Sequence, residues 1–347
     1  MTSSLRVIEP GLLTTVQDLG RVGWQRFGIP VSGATDPIAL RAANVLVGNP
    51  QATAGLEIAM LGPSFEVVAE SVCVAVAGGE TAITVEPKDG GEVRRIAPLE
   101  SVTLARGDRF RVGAVSGTAV AYLAIAGGFA LEPFLGSLST YVRGGFGGLE
   151  GRALRAGDEL PLALDKAPPR EDMRLDRFDL APAKTVRVVL GPQDDYFTPE
   201  ALNAFVGADW TVTRDADRMG LRLDGPTLTH ARGANIVSDG IAPGAIQVPG
   251  NGLPIVLLAD RQTTGGYPKI ATVISADLPA LGRVTPGTRL RFERISLEQA
   301  EAARAALEAR MRSLAGELLP ARKGSFDLGL LMSANLISGV TDGSTMK

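Results

Sequence analysis

One order of segments occurs twice in this chain. In the first half "TDPIALRAANVLVG" is followed by "GLEIAMLGPSFEV", "IAPLESV" and "LRAGDELPL"; in the second, "FTPEALNAFVG" is followed by "MGLRLDGPTLTH", "IAPGAIQV" and "VTPGTRLRF". Pro37 answers Pro199, and Gly62-Pro63 answers Gly225-Pro226 at nearly the same offset. A duplicated module therefore has to account for the fold, and 347 residues suit about two domains.

The module reads as β. Most segments, such as "SFEVVAE", "VCVAVAG", "RFRVGAV", "TVRVVLG" and "RLRFERI", are short β-branched or apolar runs bounded by Gly, Pro or Asp. Two closed sheets would hide their edges, so the expected class is mainly β: two related β-barrel domains, a few short helices and a C-terminal helix. In the first helix Asp36 caps, Pro37 fits the first turn, Ile38, Ala42, Val45 and Leu46 form an apolar stripe, and Gly48 ends it. The late helix has Ser296 and Gln299 at capping-box spacing, then Ala300, Ala303, Leu307, Met311 and Leu314 on one face.

"LDKAPPREDMRLDRFDLAPAKT" carries three prolines and many charges with little apolar periodicity. It suits a linker. The expected division is 1–165 for the first domain, 166–184 for the linker, 185–295 for the second domain, and 296–347 for the helix and tail. A cleft between the two domains is the natural place for a ligand.

Several function classes are set aside by what the chain lacks. Thirty-five basic and thirty-eight acidic residues give a net charge of -3 without a Lys/Arg block, which argues against nucleic acid. "MTSSLRVIEP" has no charged lead into an apolar segment, and the longest apolar stretch, Ala119 to Leu131, is too short to span a bilayer. A cytoplasmic protein with no membrane partner is expected. Cys73 and His230 are the chain's single Cys and single His, so neither a Cys/His metal cluster nor a thiol–imidazole pair can be built. Cys73 reads as core and His230 as the end of a strand. No P-loop pattern occurs, and "AGGF" and "RGGFGGLEG" read as loops.

The densest polar chemistry is "ADRQTTGGYPKI", residues 259 to 270, between two apolar runs that read as strands. Gly265-Gly266 allows positive φ or a close backbone approach, and Pro268 limits the exit. Arg261 can hold a carboxylate or phosphate by two parallel hydrogen bonds, and Asp260 can fix that guanidinium. Gln262, Thr263, Thr264 and Tyr267 add donors and acceptors, and Lys269 adds a charge. The set suits a small anionic or amide-bearing ligand; on residue types alone a solvated glycine turn fits equally well. Gln17, Asp18 and Arg21 crowd an earlier glycine turn, where a buried Asp18–Arg21 pair organising the loop is the simpler reading. Arg218 lies in "RDADRMG" and Gln247 in "GAIQVPG"; both turns could line the cleft.

Together "GLLTTVQDLGRVGWQRFGIPVSGATD", "DRMGLRLDGP" and "SDGIAPGAIQVPGNGLPIVLLADRQTTGGYPKIATVISADLP" resemble the carboxyltransferase-domain family over roughly residues 5 to 295. That family takes in the C subunit of bacterial ATP-dependent 5-oxoprolinase, KipA, the second subunit of allophanate hydrolase and the carboxyltransferase part of urea carboxylase. The resemblance implies a pair of cyclophilin-like barrels and a heteromer with two further chains, a KipI-like B subunit and a lactam-utilisation A subunit. The implied activity is ATP-dependent cleavage of 5-oxoproline to glutamate, with ATP and Mg handled through the complex. Two alternatives are carboxyl transfer to urea or a related amide, with biotin on another chain, and a KipA-like regulatory binding protein.

Its motif positions here are Gln17, Asp18, Arg21, Arg218, Gln247, Asp260, Arg261, Gln262, Thr263, Thr264, Gly265, Gly266, Tyr267 and Lys269. Arg261 and Lys269 are the expected stabilisers of oxyanion or phosphate charge. Asp260 would orient Arg261 or act as base, and Thr263, Thr264 and Tyr267 would hydrogen-bond the substrate. Gly282-Arg283 departs from the family pattern, which has a glutamine there.

Overall fold

The computed structural model describes residues 3–321 apart from position 177. The tail after position 321, for which the sequence offers no firm reading, lies outside the described residues.

The first half places two antiparallel sheets around one apolar core. Six strands run in the order Glu159–Pro161, Ser4–Glu9, Ser64–Val67, Arg109–Val112, Ile83–Glu86, Arg94–Ile96. Five more run Leu13–Gln17, Gly55–Ala59, Val120–Ile125, Ser71–Ala77, Ser101–Ala105. Leu5, Phe65 and Phe110 from one sheet meet Leu56, Val74 and Leu123 from the other. Ser101–Ala105 shows the alternation of a half-buried strand, with Val102 and Leu104 inward and Thr103 and Ala105 exposed. Val120–Ile125 is buried at every position because its second face is also covered.

That cover is helix α1, Pro37–Leu46, whose N-terminus the Asp36 carboxylate caps through the amides of Ile38 and Ala39 at 3.1 and 3.2 Å. The helix is buried on more than the anticipated stripe, since Ala39, Leu40, Ala43 and Asn44 are enclosed as well. Further layers arrive from far along the chain: Leu175, Phe178 and Leu180 of the proline-rich segment, and Met311 and Leu314 near the end of the described chain, all join its cluster.

The second half closes into a seven-stranded barrel in the order Thr185–Leu190, Lys269–Val273, Ala245–Gln247, Ile255–Leu257, Gly220–Asp224, Trp210–Val212, Arg289–Arg294. The first and last strands close the ring in parallel register. Helix α2, Pro199–Gly207, repeats the capped-Pro start of α1 with Thr198 as cap, and stacks Phe205 on Phe292 at 4.6 Å. Both matched prolines therefore begin a helix in the same role.

After a short helix α3, Leu278–Leu281, and the last barrel strand, helix α4, Leu297–Ser313, opens with the full Ser296/Gln299 capping box. It returns to the first half. Arg41 pairs with Glu308 at 3.1 Å, Gln51 donates to Met311 O at 2.6 Å, and Leu319–Pro320 adds a strand to Met173–Arg174. Among the described residues no helix is long and apolar enough to cross a membrane.

Candidate functional site

The polar loop starts at the barrel rim, where Ile255–Leu257 ends and a turn carries residues 259 and 260. Asp260 and Arg261 leave that turn in different directions. Asp260 does not orient Arg261; both its oxygens take Arg218, from Nε at 2.8 Å and from Nη2 at 3.1 Å. Arg218 also donates through Nη1 to Glu57 of the first half, and through Nη2 to Gly33 O at 2.7 Å. Gly33 has φ +86, and a Cβ there would lie 2.8 Å from Gly20 N, so only glycine brings that carbonyl to the guanidinium.

Glu57 stands in the middle of the strand Gly55–Ala59. Its second oxygen accepts from Tyr122 OH, from Thr35 N at 2.9 Å and from Thr35 Oγ1 at 2.9 Å. Tyr122 OH accepts in turn from Asp36 N at 2.9 Å. Burial works against the Arg218 charge, and the Glu57 and Asp260 carboxylates overcome it, holding the guanidinium above its ordinary value. Burial, with Glu57 and Asp36 nearby, raises Tyr122 well above the usual phenol range. This Glu57–Arg218–Asp260 triad joins the halves. A second lock adjoins it: Arg283, on the motif's divergent segment, grips Asp36 at 2.6 and 3.2 Å.

Arg261 has no such carboxylate partner among the described residues. It is 2% exposed and donates only to neutral acceptors: Ile241 O at 3.2 Å, Leu258 O at 3.3 Å and Gln25 Oε1 at 3.2 Å. Burial alone pushes it down to about 10. Gln25, from the first half, also donates to Ile241 O at 2.6 Å, so it too bridges the seam. A buried guanidinium without a carboxylate is costly unless something else answers it.

Lys269 is buried in its strand, and its Nζ reaches Asp239 Oδ2 at 2.7 Å. The ammonium bond and the Gly240 amide hold the Asp239 carboxyl below its usual range. Lys269 therefore sits in an ion pair with Asp239. Thr264–Gly265 pairs with Asp239–Gly240 as a short ladder. Neither Gly265 nor Gly266 has positive φ. Close approach explains the first of them, because a Cβ on Gly265 would meet Gln247 Nε2 at 2.7 Å. Gln247 accepts from Gln262 Nε2 at 3.1 Å, while its own Nε2 is buried without a partner among the described residues. Thr263 fixes Ile241 N through its carbonyl at 3.0 Å, and Tyr267 is exposed.

Gln17, Asp18 and Arg21 lie together, though Asp18 and Arg21 do not bond each other. Asp18 accepts from Gly20 N at 2.8 Å, Ser137 Oγ at 2.7 Å, Ser139 Oγ at 2.5 Å and Leu138 N at 2.7 Å. Arg21 donates to Ser139 O. Both organise one segment, Ser137 to Ser139, instead of pairing. Gln17 donates to Thr15 Oγ1 and Thr140 O at 3.0 and 3.1 Å, leaving its Oε1 buried and unpartnered among the described residues.

Sequence reasoning missed Glu57, Tyr122 and Gln25. A signal existed for the first two, since "GLEIAM" and "AVAYLAIAG" each place one polar group inside an apolar strand. Cys73 is buried as expected, and His230 packs on Phe197 with Nε2 3.0 Å from Val248 O. Among the described residues no group of three or more His, Cys, Asp or Glu side chains is arranged to hold a metal. A cavity of about 1130 Å³ opens elsewhere, lined by Arg95, Glu100, Arg170 and Asp172 among others, and includes none of the motif residues.

Comparison with known proteins places the chain in a family. Residues 27–294 match the family model described as carboxyltransferase domain, subdomain A and B. The chain is 38% identical over 301 residues to the C subunit of 5-oxoprolinase of Escherichia coli, covering 86% of this chain and 94% of that relative. It is 37% identical to the C subunit of 5-oxoprolinase of Haemophilus influenzae, covering 82% and 89%. The crystal structure of the K. lactis urea amidolyase superposes with a TM-score of 0.82 at 30% identity, covering 92% of this chain and 20% of that much longer one. This chain belongs to the carboxyltransferase-domain family.

Proposed function

We propose that this chain is the C subunit of a 5-oxoprolinase complex, which opens the lactam of 5-oxoproline to glutamate at the expense of ATP. The observation that carries the reading is the match along nearly the full length of two proteins, each named as the C subunit of 5-oxoprolinase. Two features of the site support the reading. Opening a lactam moves negative charge onto the amide oxygen, and Arg261 is a buried cation answered only by neutral acceptors. The unpartnered Gln247 Nε2 is a second donor beside the same loop. Asp260 is held by Arg218 and serves to fix the loop base.

The chain lacks a P-loop, and ATP is assigned to the complex with the KipI-like and lactam-utilisation chains, not to a cradle on this chain. ATP supplies the driving force for ring opening; this chain's part is to hold the lactam and the charge on its oxygen. The test is co-expression with those two neighbouring chains and measurement of 5-oxoproline-dependent ATP hydrolysis. Full activity should depend on Arg261 and Asp260; no turnover in an intact complex would sink the reading.

One alternative has structural support. The urea amidolyase match covers 92% of this chain, which fits carboxyl transfer to an amide nitrogen from biotin carried on another chain. That reading requires bicarbonate-dependent, avidin-sensitive carboxylation, which the same complex can be assayed for.

A further inference from the structure

Arg21 is 1% exposed, and its Nε and Nη1 are buried with no hydrogen-bond partner among the described residues. Its single bond there runs from Nη2 to Ser139 O. One face of the guanidinium lies 5.0 Å from the centre of the Phe146 ring. Burial lowers its pKa, offset in part by the fields of Asp18 and Asp260. Neither carboxylate is available to it. Asp18 already accepts four bonds from the Gly20 and Ser137–Ser139 segments, and both Asp260 oxygens are taken by Arg218.

A guanidinium offers two fork edges, Nε with Nη2 and Nη1 with Nη2. Whichever Nη2 hydrogen Ser139 O takes, one complete edge remains free. Such an edge matches the two oxygens of a carboxylate, and a dry, aromatic-walled setting makes that pair strong. The wall can move. Phe146 belongs to "RGGFGG", whose Gly145, Gly147 and Gly148 sit at φ 68, 75 and 55. Arg143 at the other end of this loop reaches Asp217 across the seam at 3.3 Å, next to Arg218.

We propose that Arg21 is the receptor for the carboxylate of a small lactam acid, and that the glycine-rich loop carrying Phe146 opens to admit it and closes over it. The proposal rests on the lactam reading above and adds what recognises the acid group. In this assignment Arg21 answers the carboxylate, and Arg261 keeps the role given to it above, toward charge on the amide oxygen.

The experiment measures binding to the co-purified complex by calorimetry, with 5-oxoproline, with 2-pyrrolidinone, which has the ring without the carboxylate, and with inorganic phosphate. The complex should bind 5-oxoproline in clear preference to the other two. Arg21→Gln should abolish that preference, and Arg21→Lys, which keeps the charge and loses the fork, should weaken 5-oxoproline by about tenfold or more while leaving 2-pyrrolidinone unchanged. Phe146→Ala should keep the preference but speed release, followed by stopped-flow displacement of bound 5-oxoproline. Equal binding of acid and neutral lactam, phosphate binding in place of 5-oxoproline, or unaltered affinity in Arg21→Lys overturns the receptor; unaltered release in Phe146→Ala overturns the closing loop. Binding through Arg21 without ATP turnover would leave the receptor standing while removing the reaction, and turnover indifferent to Arg21→Lys would do the reverse.

Discussion

At the scale of single residues, the site holds two kinds of buried cation. Arg218 is over-compensated by two carboxylates, whereas Arg261 meets only carbonyls and an amide. The two should respond oppositely to removal. Arg261→Met deletes an uncompensated charge, and two of the acceptors it leaves keep other donors: Ile241 O retains Gln25 Nε2, and Leu258 O retains Arg261 N. Stability should therefore change by no more than about 1 kcal/mol, while 5-oxoproline-dependent ATP hydrolysis falls at least about 100-fold, as for loss of an oxyanion donor. Thermal melting and turnover of the same complex check both halves of the statement. Glu57→Gln acts the other way. It leaves Arg218 short of one carboxylate and Tyr122 facing a neutral amide, and should cost about 3–5 kcal/mol as a broken buried pair, read from denaturant unfolding.

At the scale of elements, the capped helices and alternating strands were legible because their determinants are local. Asp36-Pro37, Thr198-Pro199 and Ser296-Gln299 each announce a helix start, and of the stripe expected on the late helix Leu307 and Met311 pack inward, with Leu314 just past the end of α4, while Ala300 and Ala303 are only half-buried. What α1 packs against was not legible, since its outer cover comes from residues 175–180 and 311–314, beyond the reach of any window of sequence. The site shows the same limit. "ADRQTTGGYPKI" advertises its residue types, but which carboxylate meets which arginine depends on a strand some two hundred residues away. Asp260 and Arg261 look like partners in sequence and part company because adjacent residues at a turn point to different sides. The divergent Gly282-Arg283 is explained by contact: a Cβ on Gly282 would lie 2.3 Å from Thr35 O, beside the cap that Arg283 grips. Gly282→Ala should push α3 away from the start of α1 and cost about 1–3 kcal/mol as overpacking, visible as a lowered midpoint in urea without a change in slope.

At the scale of the whole molecule, the two halves are separate sheet systems with separate cores, yet their seam is among the most highly charged buried regions described. Glu57–Arg218–Asp260 and Asp36–Arg283 cross it, as do backbone bonds from Ser32 N to Ala259 O at 3.1 Å and from Ala119 N to Arg283 O at 2.9 Å. Helix α4 adds a strap, leaving the barrel and closing on α1. A seam of buried ions couples the halves strongly because opening it strands charges that only the opposite half can answer. Wild-type protein should therefore unfold in one calorimetric transition, with the halves cooperative in spite of their two cores. Arg218→Met is the discriminating change: it leaves Glu57 and Asp260 as unanswered carboxylates on facing surfaces, destabilising the seam without touching either core. The variant should unfold in two steps, the sheet pair and the barrel each near its own intrinsic stability, with lactam-dependent turnover lost because Arg21 and Arg261 come from opposite sides of the opened seam. Two transitions already in the wild type, or one undivided transition in Arg218→Met, would show that α4 and the backbone contacts hold the halves together and that the ion network serves the loop alone.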